Sequence, residues 1–250
     1  MLPESMSGSK LYGVELDDLS GRIARQLYQK SSIAVQGYEK TAFPDNFFDV
    51  AIGNVPFGQF HVADKRYDRL NFPIHEYFVA KMLDQVRPGG VIAVVTSSYT
   101  MDKRTASARK YIAQRSELLG AIRLPNNAFK GSGTKIMTDV IFLQKRDTLR
   151  QQDEPWLHLA EDANGITMNR YFVEHPEMIC GRMEIVSGPY GPTPTCQPID
   201  PDAVDRFGKP LLETQIDTAM QHLTATLTKA EIPIQEESGE DTKYIDADPF

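Results

Sequence analysis

A chain of 250 residues with 41% hydrophobic and 24% charged side chains is ordinary for a soluble globular protein, and can fill one core with an extension or two small domains. No apolar run approaches the ~18 residues that cross a bilayer, and Cys180 and Cys196 are too few for a disulfide framework and wrongly spaced for a metal site; a cytoplasmic protein is expected. The net charge of -7 divides unevenly: residues 1–150 carry 21 Lys and Arg against 15 Asp and Glu, a balance of +6, and residues 151–250 carry 6 against 19, a balance of -13. Only the first part can approach a phosphate backbone without repulsion, which places an expected boundary near residue 150.

Residues 10–16 read as a short strand ending near Glu15 and Asp17. Residues 17–30 read as a helix with Leu19, Ile23, Ala24 and Leu27 on one face. Strands are expected over 33–36 and 48–53. A loop follows over 61–73, carrying Lys65, Arg66 and Arg69, and then an amphipathic helix over 74–86 with Tyr77, Phe78, Met82 and Val86 inward. Pro88-Gly89-Gly90 should stop that helix. Residues 91–96 are nearly all apolar, as expected of a strand buried on both faces. A helix over about 105–117 carries Arg109, Lys110 and Arg115, and strands are expected over 118–124 and 139–144. Strands alternating with helices predict a doubly wound, mostly parallel sheet. The short 126–138 connection holds no helix, so the last strand should return antiparallel. Beyond residue 150 the pattern decays. Residues 188–194 are rich in turn formers, 211–227 is one isolated helix, and 231–248 is acidic and poor in apolar residues, as a linker or disordered segment would be.

The stretch over 49–58, Asp-Val-Ala-Ile-Gly-Asn-Val-Pro-Phe-Gly, is an apolar run that breaks into a turn. Such a loop at the carboxyl edge of an open α/β sheet is where ligands bind. Asn54 offers an amide oxygen at the lip, and Phe57 a flat apolar face. An acceptor beside a stacking ring suits a planar base with an amino group, held after extrusion from its helix.

Asn54-Val55-Pro56-Phe57 resembles the Asn-Pro-Pro-Tyr/Phe motif of the amino-methyltransferases. The flanking blocks narrow the resemblance: Gly13-Val14-Glu15-Leu16-Asp17, Arg87-Pro88-Gly89-Gly90-Val91-Ile92-Ala93, Thr96-Ser97-Ser98-Tyr99-Thr100-Met101-Asp102 and Gly120-Ala121-Ile122-Arg123-Leu124-Pro125. Together, over roughly residues 1–190, they resemble the adenine-specific DNA methylase domains of very large phage and plasmid proteins, often joined to a helicase. The resemblance implies a Rossmann-like doubly wound sheet, S-adenosylmethionine as cofactor and DNA as substrate. It also implies covalent continuity with a helicase region. Residues 1–150 would form the catalytic domain, 151–230 an extension or the start of a following region, and 231–250 an acidic linker. In that family a strand and a glycine-rich turn precede the acidic strand end represented here by Glu15. Only 14 residues precede Glu15. The first strand is therefore expected to be missing, with an empty central sheet position and poor cofactor binding by these 250 residues alone.

In this reading the Asn54 side-chain oxygen and the carbonyl of Val55 accept the two hydrogens of an aromatic amine. They draw its nitrogen toward tetrahedral geometry, so the site works by positioning and electrostatics. Phe57 stacks on the base. Val55 stands where the family more commonly has proline, which leaves Asn54 less constrained, while Pro56 still biases Val55 toward an extended conformation. Glu15 would accept from the cofactor ribose; its bland alternative is an acidic helix start. Glu39 would accept from the cofactor's adenine amine, although Gly37 or Tyr38 could occupy the same position. Lys103, Arg104, Arg109 and Lys110 would contact DNA phosphates, or else form a solvated helix face. His75-Glu76 reads as capping or packing, since no second histidine follows to make a metal pair. Gly131-Ser132-Gly133 lacks the Lys-Ser/Thr ending of a Walker loop. Two alternatives remain: methylation of RNA or of protein glutamine by the same motif, and an inactive module that only binds DNA or a partner.

Overall fold

A computed structural model describes residues 3–129, 136–188, 191–200 and 203–223. The alternation of apolar strands with helices yields two parallel pairings. β1 (Tyr12–Glu15) and β2 (Ser32–Val35) form a two-stranded parallel sheet joined by α1 (Asp18–Leu27). The Asp17 side chain starts α1 by accepting from the Ser20 N–H at 2.7 Å. The larger sheet contains β3 (Phe48–Asn54), β4 (Val86–Ser97), β5 (Ser116–Leu124) and β6 (Thr138–Lys145), in the order β3-β4-β6-β5. β3 and β4 are parallel, and β6 runs antiparallel to both neighbours, as the short connection required.

The core lies between this sheet and the helices that return the chain. α2 (Ile74–Gln85) packs on β4, and α4 (Ser107–Arg115) packs on α2 and β5. Leu83, Val86, Ile92, Val94, Ile122 and Leu143 are fully buried there. Each such side chain contributes about 1.5–3 kcal/mol relative to exposure. The loop with the expected cations is pinned down rather than free. Arg66 grips Asp45 through two bonds of 2.7 Å and reaches Asp84 at 2.9 Å.

Three expectations need correction. Pro88-Gly89-Gly90 does not break the chain between helix and strand, because α2 ends at Gln85 and β4 starts at once. Phe48 pairs with Val86 and Val50 with Val91, so residues 87–90 form a bulge. Gly89 takes φ +74°, and a Cβ on Gly90 would lie 2.7 Å from the Asp49 carbonyl oxygen, so both glycines are required by the bulge. Second, the apolar stripe of α1 is real but uncovered: Leu19, Ile23 and Leu27 are exposed, as are Val50 and Ile52 on β3. β1 and β3 each keep one edge without a strand partner among the described residues. Aromatic contacts join their starts, with Tyr12 and Phe48 edge to face at 5.5 Å.

Third, the fold does not stop near residue 150. β7 (Leu159–Glu161) and β8 (Thr167–Asn169) form a hairpin, followed by α5 (Arg170–Glu174) and an antiparallel pair of β9 (Arg182–Gly188) and β10 (Gly191–Gln197). Residues 191–194 are thus strand rather than turn. Trp156, Met168, Phe172, Met178 and Cys180 belong to the same core as β4 and β5. Backbone bonds stitch the seam, from Cys180 N–H to Arg123 O and from Asn126 N–H to Cys196 O, both 2.8 Å. α6 (Leu211–Gln221) is the last element described; residues 224–227 of the expected helix, the segment 231–250 and Gly131-Ser132-Gly133 lie outside the described residues. Among the described residues no helix is long and apolar enough to cross a membrane.

Candidate active site

β3, β4 and β5 run in one direction and end at one edge of the sheet. Asn54 pairs with Val95, Ser97 with Thr138, and Thr138 with Leu124. At that edge the chain turns through Asn54-Val55-Pro56-Phe57. Val55 holds the turn in two ways. Its N–H donates to the Val95 carbonyl at 3.0 Å, extending the ladder by one bond, and its side chain is 2% exposed in the main core. A proline could not make that bond. The substitution therefore does not slacken the loop as expected; an anchor replaces a ring constraint.

Asn54 is exposed, and its amide has no hydrogen-bond partner among the described residues. Together with Val55, Pro56 and Phe57 it lines a cavity of about 240 Å³, closed on the other side by Phe129, Ile136 and Thr138. Two aromatic rings from different loops thus border a space that also holds a free amide. An exocyclic amine entering there meets the side-chain oxygen of Asn54 and the main chain of Val55, with flat apolar surface beside it.

Behind Thr138 lies a charge network that sequence reasoning missed. Arg123 and Asp139 are direct cross-strand partners and completely buried. The guanidinium donates to both Asp139 oxygens at 2.9 Å and to Asp102 at 2.9 Å, and stacks 4.1 Å from the Phe172 ring. Burial pushes the Asp139 carboxyl up, to about 6, against the pull of Arg123. Asp102 also accepts from the Asn169 N–H at 2.9 Å, and the Asn169 amide donates to Met101 O and Trp156 O. The network fixes the sheet edge beneath the cavity to the segment after residue 150. A charged residue in each of two apolar strands was its only sequence signal.

Glu15 ends β1 and Glu39 lies in the turn that follows β2, so both belong to the separate two-stranded unit and line neither this cavity nor the one described next. One Glu15 oxygen accepts from the Asp17 N–H at 2.9 Å. Of the three candidates at the following turn, Gly37 is buried and Tyr38 turns inward to donate to Gln85 at 2.6 Å. Glu39 alone offers a carboxylate, folded against Gly37, where a Cβ would lie 2.1 Å from its Oε1.

Arg104, Arg109 and Lys110 gather around a second cavity of about 280 Å³, with Ala106, Leu157, His158 and Leu159. Lys103 does not join them and lies 3.6 Å from the buried Glu76. Arg109 is buried rather than part of a solvated face, and donates to Leu157 O at 3.2 Å. His75 and Glu76 are buried in the first turn of α2, which is packing, and among the described residues no group of three His, Cys, Asp or Glu could hold a metal ion. Among the described residues neither His75 ring nitrogen has a hydrogen bond of good geometry, and burial lowers its pKa from the usual 6.5 against the pull of the nearby Gly58 main chain.

Comparison with known proteins gives the following. A family model described as N-6 DNA methylase matches residues 5–169. The chain is 31% identical over 165 residues to the defense against restriction protein B of Escherichia phage P1, covering 63% of this chain and 7% of that protein. It thus spans a small fraction of the curated relative it matches. Solved structures give more distant likenesses. A putative class I S-adenosylmethionine-dependent methyltransferase from Listeria monocytogenes is 20% identical, with 58% of this chain and 47% of that one covered at a TM-score of 0.47. The M protein of the type I restriction enzyme EcoKI is 20% identical, covering 54% and 31% at 0.43. A modification subunit of a putative type I restriction enzyme from Vibrio vulnificus YJ016 is 16% identical, covering 80% and 46% at 0.46.

Proposed function

The chain belongs to the N-6 DNA methylase family, and from that premise we propose that it is the catalytic region of a DNA adenine methyltransferase. The reaction moves a methyl group from S-adenosylmethionine to the exocyclic amine of adenine in DNA. One observation carries the reading: an unpartnered, exposed Asn54 amide shares its cavity with Phe57 and Phe129 at the carboxyl edge of the sheet.

Asn54 Oδ1 and the Val55 carbonyl accept the two amine hydrogens of an extruded adenine and localise the nitrogen lone pair, while Phe57 lies against the base. These acceptors act on charge that develops during transfer, where one oriented partner contributes about 3 kcal/mol. The cofactor, when bound, supplies an electrophilic sulfonium methyl. Glu15, with one oxygen left free by its bond to Asp17, suits the ribose hydroxyls, and Glu39 suits the adenine amine. These two acceptors thus fit the nucleoside half of the cofactor.

In the same reading the basic first 150 residues face DNA and form the methyltransferase-like region. Residues 151–230 are an extension fastened to it, and 231–250 an acidic linker. The chain works in the cytoplasm as part of a longer protein that includes a helicase region. Its small share of a phage protein named for defense against restriction supports that setting. The test offers tritiated S-adenosylmethionine with DNA, RNA and protein in parallel to the full-length protein. Label in DNA, recovered as N6-methyladenine, is expected. Label confined to RNA or protein, or none at all from a folded, cofactor-bound protein, would overturn the reading.

A further inference from the structure

The second cavity has no part in the chemistry at Asn54, yet it is built from cations. Arg104 and Lys110 are exposed at its rim and have no ion pair among the described residues. Arg109 reaches it from below with its guanidinium buried. Its acceptors are neutral carbonyls, Leu157 O at 3.2 and 3.3 Å and Thr100 O at 3.5 Å, and no carboxylate lies within ion-pair distance among the described residues. Asp102 and Glu76 act on this buried charge only from beyond contact distance, so its burial is only partly offset, and an anion in the adjoining space offsets the remainder. α4 adds to the effect. Its N-cap, Ala106, lines the cavity and provides no side-chain acceptor, so the first-turn N–H groups contribute partial positive charge.

The rest of the lining narrows the anion. Leu157 and Leu159 make part of the wall apolar, which suits the carbon face of a sugar. His158 is turned toward Asp153, with Nε2 and Oδ1 2.6 Å apart; Asp153 itself is not in the lining. Position narrows it further. Arg104 follows α3 (Tyr99–Asp102), which leaves the end of β4 at the same edge of the sheet as Asn54.

We propose that Arg104, Arg109 and Lys110 form a pocket for a single backbone phosphate of DNA, flanking the adenine held at Asn54. The proposal rests on the methylase reading and adds a site to it. One phosphate lies between two rim cations, with Arg109 as the buried counter-charge. The two rim cations therefore act on the same phosphate, and either one together with Arg109 keeps part of the contact.

The test is duplex binding by the full-length protein, read by fluorescence anisotropy across about 50–200 mM salt. It compares the wild type with Arg104→Gln, Lys110→Gln and the double variant. Both side chains are exposed, and circular dichroism confirms folding before each titration. Each released phosphate lowers the slope of log K against log salt by about 0.9. If the three cations share one phosphate, each single variant loses less than that, and the double variant loses about that much and weakens binding about tenfold. Unchanged slopes would overturn the pocket and leave the methylase reading standing. So would a double variant that loses about twice as much, since the two cations would then meet separate phosphates. A folded wild type that binds no duplex would overturn both.

Discussion

Replacing Asp139 by alanine should loosen the seam between the sheet and the segment after residue 150. Arg123 makes three charge-assisted bonds of 2.9 Å, two to Asp139 and one to Asp102. The substitution removes two and leaves a fully buried guanidinium on one partly exposed carboxylate. Loss of one partner from a buried pair costs about 3–5 kcal/mol. For a chain of this size that lowers Tm by about 10 °C. Guanidinium unfolding followed by circular dichroism measures the cost, and amide exchange at Cys180 and Asn169 locates it. Asp102→Ala should cost less, because it removes one bond to Arg123 and one from the Asn169 N–H at a partly exposed site and leaves Arg123 paired with Asp139. The pair Arg123→Met with Asp139→Leu should recover most of the loss, since an apolar replacement leaves no unpaired charge behind. A cost below about 1 kcal/mol for Asp139→Ala would refute the reasoning, as would a double variant no more stable than the single.

In the full-length protein Asn54→Ala should lower the rate of methyl transfer to DNA by at least about a hundredfold with the melting temperature unchanged, because the amide makes no hydrogen bond among the described residues; near-normal DNA methylation would remove the loop from the mechanism. Thr138 has a buried hydroxyl without a partner among the described residues, so Thr138→Val is expected to leave stability equal or raise it by about 1 kcal/mol in denaturant titrations, and a clear loss would show that the hydroxyl is bonded. His75 is kept neutral by burial, with a folded pKa below its unfolded value of 6.5. The unfolded chain therefore binds the proton first, and the contribution of this residue is present above about pH 6.5 and lost as pH falls through that range toward the folded pKa. Replacing His75 by asparagine should flatten the fall of Tm between about pH 7 and 5; an identical pH profile would rule out this histidine as its source.

Strands over 48–53, 91–96, 118–124 and 139–144 were legible because each is an apolar run set between polar or turn-forming residues, and all four appear, some a few residues longer. The antiparallel last strand was legible from loop length alone. β9 and β10 were not, since Gly-Pro-Thr-Pro-Thr-Cys-Gln carries turn residues at alternate positions and pairs only with its neighbour. The site divides along the same line. Asn54 and Phe57 announce themselves by type and spacing. The Arg123–Asp139 pair depends on strand register, which no local pattern displays. Arg109 sits in a helix whose sequence reads as a solvated basic face, and only the packing of Leu157 over it reveals the charge as buried.

The order β3-β4-β6-β5 also bears on synthesis. β5 touches the rest of its sheet only through β6, which the ribosome makes afterwards. β5 therefore waits, apolar and without a strand partner, while the chain is extended to Lys145, roughly one to four seconds at ordinary elongation rates. The last strand made is the one that closes the sheet, and with it comes Asp139, the fully buried counter-charge that joins Asp102 on Arg123.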